Sequence, residues 1–399
     1  MAEEMVPQAS PPSKKKPLLI GISTALVLAL AVVVYWLFWL RFEESTEDAY
    51  VGGNQVVLNA QVSGNVTAFY ADNTNFVHQK QLLATIAPQD ATLDLERTKA
   101  ELATTLRTVL GMFQRVEELE ADLKKAKAEL IKTLQDFEHR NVLVESGGVS
   151  KEDFEHAQAA LLFSQGDVEA IFHQWITAQA AVENTTVRSH PLVQTAIQNV
   201  KMAWLKLVRC KILSPATGIV ARRNIQVGKR IDPETFLLAI VPLDQMWIDA
   251  NFKEVQLKNI RIGQPVQMTA DQYGRDMIYH GKIIGIAGGT GSVFSLLPPQ
   301  NATGNWIKIV QRLPVRISLD PDELKRYPLR LGLSMKVTID TKDRGGSVIP
   351  PLIPACPQAC TSVYDDQLEG VGLAIESIIK ENTDLDCLIK NPAEWLNPF

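Results

Sequence analysis

The chain has 399 residues, of which 46% are hydrophobic and 21% are charged, a length that accommodates two or three domains. Its 40 basic and 45 acidic side chains give a formal net charge of -5. This balance argues against a nucleic-acid-binding protein, which would need a basic surface. The cysteines show no Cys-x-x-Cys spacing, so they predict no metal site.

The N-terminal region contains an uncharged apolar run from Leu18 to Leu40. As a helix it would span about 35 Å, enough to cross a bilayer. Lysines precede the run and acidic residues follow it, so the positive-inside rule places the N-terminus in the cytoplasm. We predict a cytoplasmic tail over 1–16 and a single transmembrane helix over 17–41. The residues expected to anchor this helix are Leu18, Tyr35, Trp36, Trp39 and Leu40.

The alternative for this segment is a cleaved signal peptide. Its apolar run is longer than the usual core of about 7–15 residues, and no small-x-small cleavage site follows it. We therefore favour a membrane anchor with a large body outside the cytoplasm.

Two separated stretches, residues 46–89 and 210–242, have the pattern of two halves of one small β-module. Both show alternating apolar residues and a glycine at a tight corner, as in Gln61-Val-Ser-Gly-Asn-Val-Thr67 and Ile212-Leu-Ser-Pro-Ala-Thr-Gly-Ile-Val220. The roughly 120 residues between them carry almost no strand signal. A module interrupted by a long projecting segment is an arm on a hub, which suggests a bridging protein.

Residues 90–209 have the composition and period of a long α-helical hairpin. Ser146-Gly-Gly148 breaks the pattern, and Ser150 begins the second arm with Asp153 three residues on, close to a capping box. The two arms match in length if residues 183–190 bulge out of the seam, and the hairpin would reach about 75 Å. The predicted helices are 90–140, 150–182 and 191–208. Apolar residues of the first recur every three or four positions, as in a coiled-coil seam: Leu102, Leu106, Val109, Phe113, Val116, Leu119, Leu123, Ala126, Leu130, Leu134 and Phe137.

Short strands separated by Gly and Pro turns return over 243–345 and predict an antiparallel β-barrel. A Pro-rich linker and tail occupy 346–399, with a short amphipathic helix over about 368–380. The predicted barrel strands are 246–252, 265–269, 281–286, 306–310, 313–317 and 335–340. The fold class is therefore α+β multi-domain, with a single N-terminal transmembrane helix, a split β-module, a long α-helical coiled-coil hairpin and an antiparallel β-barrel.

This organisation resembles the HlyD-type membrane fusion proteins, also called periplasmic adaptor proteins, in which the split β-module is lipoyl-like. Three segments resemble the EmrA branch of that family in particular. They are Trp247-Ile-Asp-Ala-Asn-Phe-Lys-Glu254, Arg261-Ile-Gly-Gln-Pro-Val266 and the long stretch from Gly289-Thr-Gly-Ser-Val-Phe-Ser-Leu-Leu-Pro298 to Val315. The resemblance covers about residues 18–345 and is weak in the tail.

The resemblance implies the adaptor subunit of a tripartite multidrug efflux pump, which carries out no chemistry and needs no cofactor. Its implied partners are an inner-membrane drug/proton antiporter of the major facilitator class and a TolC-like outer-membrane channel. It would be anchored in the bacterial inner membrane with its bulk in the periplasm. Because an open arm on a flat hub leaves uncovered surface, we expect a homo-oligomeric ring.

The family also implies residues at the hairpin tip. In several relatives an arginine, a leucine four residues later and a serine seven after that dock on the channel. Leu143 and Ser150 keep this spacing, whereas His139 occupies the arginine position and Arg140 follows it. One residue turns a helix by about 100°, so Arg140 would point in another direction. We take Arg140, Leu143 and Ser150 as the candidate channel contacts.

A second departure lies in the turn after Val77, where relatives usually have glycine and this chain has His78-Gln-Lys80. That turn must either avoid a positive φ or accept strain. In the tail, Cys356 and Cys360 either pair or remain free thiols, and both alternatives stay open.

Other motifs favour structural interpretations. A swinging-arm cofactor carrier would need a lysine at the tip of a β-hairpin, where this chain has its helical hairpin. Gly288-Gly-Thr-Gly-Ser292 lacks the Gly-Lys-Ser/Thr ending of a phosphate loop. The histidines spaced by 17 residues do not share a helix face, because that spacing leaves a rotation of about 260°; they are His139, His156, His173 and His190.

Two other functions stay open. One is an adaptor of a protein-secretion system with an ATP-driven partner, although such relatives often have a much longer hairpin. The other is a structural spacer of the envelope without transport, which only a phenotype distinguishes.

Overall fold

The computed structural model describes residues 24–31, 42–274, 276–291, 293–294, 310–350 and 359–383. Among these residues, no helix is both long and apolar enough to cross a membrane. The strand predicted over 306–310 falls outside them, except for its last residue. The predicted membrane-anchor residues also lie outside the described residues: Leu18, Tyr35, Trp36, Trp39 and Leu40.

The elements follow in chain order. The helices are α1 (24–31), α2 (Gln89–Val144), α3 (Lys151–Val182), α4 (Pro191–Val208), α5 (Pro321–Arg326) and α6 (Val371–Thr383). The strands are β1 (Glu43–Gly53), β2 (Val56–Asn59), β3 (Gly64–Phe69), β4 (Phe76–Val77), β5 (Leu82–Ile86), β6 (Lys211–Leu213), β7 (Gly218–Arg223), β8 (Arg230–Ile231), β9 (Phe236–Val241), β10 (Met246–Lys253), β11 (Pro265–Ala270), β12 (Ile278–Ile286), β13 (Arg312–Leu319) and β14 (Ser334–Asp340).

The barrel is closed by six antiparallel strands in the order β1-β10-β13-β12-β11-β14. Strand β1 therefore belongs to the barrel, and its assignment to the first half of the β-module over 46–89 was wrong. The alternation predicted a strand but could not identify its partners, because β10 and β14 lie about 200 and 290 positions away in the sequence. Inward-facing side chains such as Ile248, Phe252 and Tyr279 fill the interior. The buried Tyr279 hydroxyl donates to the Tyr327 carbonyl at 2.9 Å, and burial raises the pKa of Tyr279 to about 12.

The split β-module consists of two four-stranded sheets, ordered β2-β9-β7-β4 and β6-β5-β3-β8. Each sheet takes two strands from each half of the sequence. The strands of the first half, β2 to β5, correspond in order to those of the second half, β6 to β9. Replacing each strand of one sheet by its counterpart gives the strand order of the other sheet, so the two halves are topologically equivalent. Small apolar cores lie between them, around residues such as Val66 and Leu238.

The hairpin begins directly after β5 and returns directly before β6. The Ile86 amide donates to the Cys210 carbonyl at 2.8 Å, which joins its two ends. Cys210 is buried, as expected for a small apolar side chain at this junction. One predicted seam position differs: Leu134 is 40% exposed, and Thr133 lies in the seam, where its hydroxyl is 2.7 Å from that of Ser164.

The descending arm is interrupted between α3 and α4. Asn184 has a φ of 56°, a left-handed conformation that asparagine tolerates better than most residues. His190 caps α4, its Nδ1 accepting from the Leu192 amide at 3.3 Å. On the hub side of this interruption α6 packs beside α2 and α4, so the root of the hairpin has three helices and the distal part has two.

Replacing Gly281 in β12 by alanine is expected to destabilise the barrel. A Cβ there would overlap the carbonyl oxygen of Ser318 and lie 2.9 Å from Cε of Met268. Such overpacking should lower the free energy of unfolding by about 1–3 kcal/mol, measurable by thermal unfolding of the full-length protein in detergent. Gly285→Ala in the same strand is the matched control, because nothing lies within 4 Å of its Cβ position. An equal loss in both variants would contradict the packing argument.

Candidate partner-docking tip of the hairpin

The far end of the hairpin is a short hydrogen-bonded turn between α2 and α3. The Leu143 carbonyl accepts from the Gly148 amide at 3.0 Å and from the Ser146 hydroxyl at 2.9 Å. These bonds satisfy a carbonyl that the helix end would otherwise leave without a partner. Gly147 adopts a φ of 73° in this turn, a conformation that glycine takes without a Cβ penalty.

Ser150 is the N-cap of α3. Its hydroxyl oxygen accepts from the Asp153 amide at 3.1 Å and is 2.7 Å from the Asp153 carboxylate. The capping role predicted from the Ser150–Asp153 spacing is therefore confirmed. The hydroxyl serves the start of the helix and is already partnered within the chain.

Arg140 connects the two helices just below the turn. Its Nε donates to the Asp136 carboxylate at 3.2 Å within α2, and its Nη1 donates to the Asp153 carbonyl of α3 at 3.1 Å. The side chain is only about one-third exposed. Beneath it the rings of Phe137 and Phe154 pack with centroids 5.4 Å apart. The guanidinium thus acts as a cross-link of the tip.

Leu143 is the exposed apolar member of the candidate set. It is 45% exposed, and its neighbour Val142 is 74% exposed. Together they form an apolar surface at the end of the hairpin. This is the kind of surface that a partner would cover.

The structure brings Arg140, Leu143 and Ser150 together at one end of the molecule, but it gives them different environments. The prediction from the sequence did not include Val142, which is more exposed than Leu143. It also missed that Arg140 donates to the Asp153 backbone carbonyl across the hairpin, a contact that no residue spacing signals.

Of the two alternatives for the turn after Val77, the structure shows the strained one, with a positive φ at a residue other than glycine. Lys80 has a φ of 65°, and its amide donates to the Ser214 carbonyl at 2.8 Å. Its ammonium donates to the Asp366 carboxylate at 2.6 Å. This hydrogen bond and the neighbouring carboxylates raise the pKa of Lys80 above its ordinary value.

Within the described ranges, no group of three or more His, Cys, Asp or Glu side chains is placed to hold a metal ion. Two of the regularly spaced histidines lie 3.8–3.9 Å from glutamates one turn away on α3, and His190 is a helix cap. Cys360 is exposed, and Cys356, with which it was expected either to pair or not, lies outside the described residues.

Comparison with known proteins gives consistent matches. Residues 89–210 match the family described as EMRA, alpha-helical hairpin domain. The multidrug export protein EmrA of Escherichia coli (strain K12) is 44% identical over 354 residues, covering 89% of this chain and 91% of that protein. The multidrug export protein EmrA of Haemophilus influenzae is 41% identical over 370 residues, covering 93% and 95%. A solved structure of the periplasmic adaptor protein EmrA aligns with a TM-score of 0.38 at 19% identity, covering 75% of this chain and 98% of that one.

A projecting helical hairpin, a split β-module and a closed barrel define the architecture of a membrane fusion, or adaptor, protein. The identity of 44% over 89% of the chain makes the assignment more specific. The chain belongs to the EmrA-like membrane fusion proteins, a non-enzymatic family, and the resemblance inferred from its sequence is confirmed.

Arg140→Ala should loosen the tip while leaving the rest of the hairpin unchanged. Losing the hydrogen bonds of a partly exposed charged group should weaken local closure by about 1 kcal/mol. Amide hydrogen exchange over residues 141–152 should therefore accelerate about fivefold, with little change in the melting temperature. Lys151→Ala is the control, since that side chain is 87% exposed. Unaltered exchange in Arg140→Ala would show that the guanidinium does not hold the turn.

Proposed function

We propose that the protein is the adaptor subunit of a tripartite multidrug efflux pump. It would link an inner-membrane drug/proton antiporter of the major facilitator class to a TolC-like outer-membrane channel. Two relatives with more than 40% identity are named multidrug export proteins, which supports the efflux role. The two partner classes come from the family resemblance and are part of the proposal.

The observation that carries the proposal is the length and ending of the hairpin. Helix α2 alone has 56 residues, which corresponds to about 84 Å at 1.5 Å per residue. It rises from a β-hub and ends at the exposed Leu143 and Val142. Such an arm can place an apolar contact far from the membrane in which the chain is anchored.

We further propose a single-pass anchor over 17–41, with residues 1–16 in the cytoplasm and the remaining bulk in the periplasm. The uncharged run and its asymmetric flanking charges support this topology. The channel contacts would lie at the hairpin tip, with Leu143 making the apolar contact. Arg140 and Ser150 would shape the turn that presents it.

A ring of several copies would complete the assembly. Helix α3 exposes Leu162 and Phe163 by 62% and 79%, outside the seam with α2. Apolar side chains that remain exposed on a hairpin suit side-by-side contact with neighbouring hairpins.

Leu143→Asp should abolish drug resistance without unfolding the protein. A carboxylate at the tip would have to be desolvated at an apolar contact, which is unfavourable. In a host lacking the gene, the wild-type chain should restore tolerance to hydrophobic drugs and uncouplers, and this variant should not. Membrane abundance and melting temperature should stay unchanged.

The matched control is Leu93→Asp, at the root end of the same helix, because Leu93 is 65% exposed there. Resistance that survives in Leu143→Asp would remove the tip from the mechanism. Deletion that leaves drug tolerance intact but abolishes export of secreted proteins would instead favour the secretion adaptor.

A phosphatase fused after residue 45 should be active, because that enzyme needs the oxidising periplasm to form its disulfides. The same phosphatase fused after residue 16 should be inactive. Activity is measured in intact cells with equal amounts of fusion protein. The opposite pattern would overturn the proposed topology.

A further inference from the structure

The C-terminal residues 359–383, called here the C-terminal brace, do not pack on the barrel strands that precede them in sequence. They pack on the split β-module and on the root of the hairpin. The amphipathic helix predicted over 368–380 is α6, but its docking was not foreseen. The brace therefore links the β-module to the hairpin, which the chain itself already connects at two places, between β5 and α2 and between α4 and β6.

On the β-module the brace contacts the turn after Val77 and the loop before β7. The Thr361 hydroxyl donates to the Pro215 carbonyl at 2.8 Å and accepts from the Gln79 side chain at 3.3 Å. Val363 is buried, only 6% exposed. These contacts seat the first part of the brace beside the strained turn.

Opposite charges face each other in the next part of the brace. Lys80 forms its ion pair with Asp366, and Asp365 and Glu369 lie near enough to act on the same ammonium. Arg209, at the end of α4, donates to the Gln367 side chain at 3.4 Å. An acidic turn of the brace thus lies beside Lys80 of the module, and its Gln367 contacts the end of α4.

On the hairpin the brace contributes an apolar helix face. Val371 and Ile375 of α6 are 3% and 4% exposed and belong to the core that α2 and α4 form. Gly370, with a φ of +83°, immediately precedes this helix, and its Cβ position is 3.6 Å from the Trp204 ring. Burial of these side chains fixes α6 along the root.

The brace also reaches the interruption of the descending arm. Glu376 pairs with Arg188, which lies in the interruption. Asn382 accepts a hydrogen bond from Arg107 of α2 at 3.0 Å. Helix α6 therefore fastens both arms near the level at which the descending one is broken.

We propose that the C-terminal brace sets the angle of the hairpin on the β-module and so determines where the tip meets its partner. Two adjacent chain connections form a hinge, and a third, separate attachment stops rotation about it. At a reach of about 84 Å, a tilt of 10° displaces the tip by about 15 Å, more than the width of a helix. Lys80, Asp366, Arg188 and Glu376 are positioning residues in this proposal.

Charge reversal tests the brace. Lys80→Glu combined with Arg188→Glu should place like charges at both fastenings and weaken the attachment of the brace. Adding Asp366→Lys and Glu376→Arg should restore both ion pairs with their signs exchanged. The control is Lys124→Glu, because Lys124 pairs with Glu120 within α2, and both are exposed.

The first readout is the distance between spin labels at Leu162→Cys on the hairpin and Val255→Cys on the barrel side, both well exposed. It is measured on the full-length protein in detergent, with Cys356, Cys360 and Cys387 replaced by serine. Burial raises the pKa of the Cys210 thiol, so this thiol should stay unlabelled. The double reversal should shift or broaden the distance distribution by at most about 10 Å, the displacement of a 10° tilt at this height. The four-residue variant should return the distribution to that of the wild type.

The second readout, drug resistance in the deletion host, rests on the proposed function. Resistance should fall in the double reversal at unchanged membrane abundance and melting temperature, and recover in the four-residue variant. Should the reversal prevent folding, Asp366→Asn with Glu376→Gln removes the same ion pairs without repulsion and should give a smaller change in the same direction.

An unchanged distance distribution in a chain lacking residues 359–383 would overturn the proposal. Resistance that falls only in step with membrane abundance would also overturn it. If the wild-type gene confers no resistance while the distances still respond to charge reversal, the efflux function is wrong and the brace stands.

Discussion

Pairing between strands on either side of the hairpin is the constraint on which this structure depends. Each sheet of the β-module mixes strands of both halves, so neither sheet is complete until residues about 150 positions apart have met. Closing a flexible loop of roughly 120 residues would oppose folding by about 4 kcal/mol. An antiparallel helical hairpin brings its own ends together and removes much of this cost. The insertion therefore assists the module that it interrupts, and the Ile86–Cys210 hydrogen bond marks where the two meet.

The hairpin is not uniform along its length. Near the hub, α2, α4 and α6 bury a continuous apolar core, whereas beyond the interruption only the narrow seam of α2 and α3 remains. Two helices with one seam are only marginally stable, so their register needs further specification. The hydroxyl pair of Thr133 and Ser164 is one polar contact across the seam, and each hydroxyl also donates to the carbonyl three residues before it on its own helix.

The sequence predicted what depends on local pattern. The helix bounds, the interruption after α3 and the cap at Ser150 all follow from residues within one or two turns. The sequence did not predict which sheet contains β1, because an alternating apolar pattern indicates a strand but does not identify the strands that pair with it. The sequence also did not predict that α6 packs on the hairpin root. An amphipathic pattern indicates that one helix face is buried, but it does not identify the surface against which that face packs. At the tip, spacing found Leu143 but missed that Arg140 is held by Asp153, a contact made only when the two helices are folded together.

The environments at the two ends of the hairpin imply two kinds of recognition. At the tip the side chains of Arg140 and Ser150 are hydrogen-bonded within the chain, whereas Leu143 and Val142 are exposed apolar side chains. Apolar contact of this kind depends on shape and position and is little affected by salt. At the root, exposed ion pairs such as Lys80–Asp366 contribute to the attachment, and salt screens these. A tip that binds its partner through apolar shape complementarity gains little from long-range electrostatic attraction. Its position relative to the partner must therefore be set by the rest of the molecule, and a fixed hairpin angle would set it.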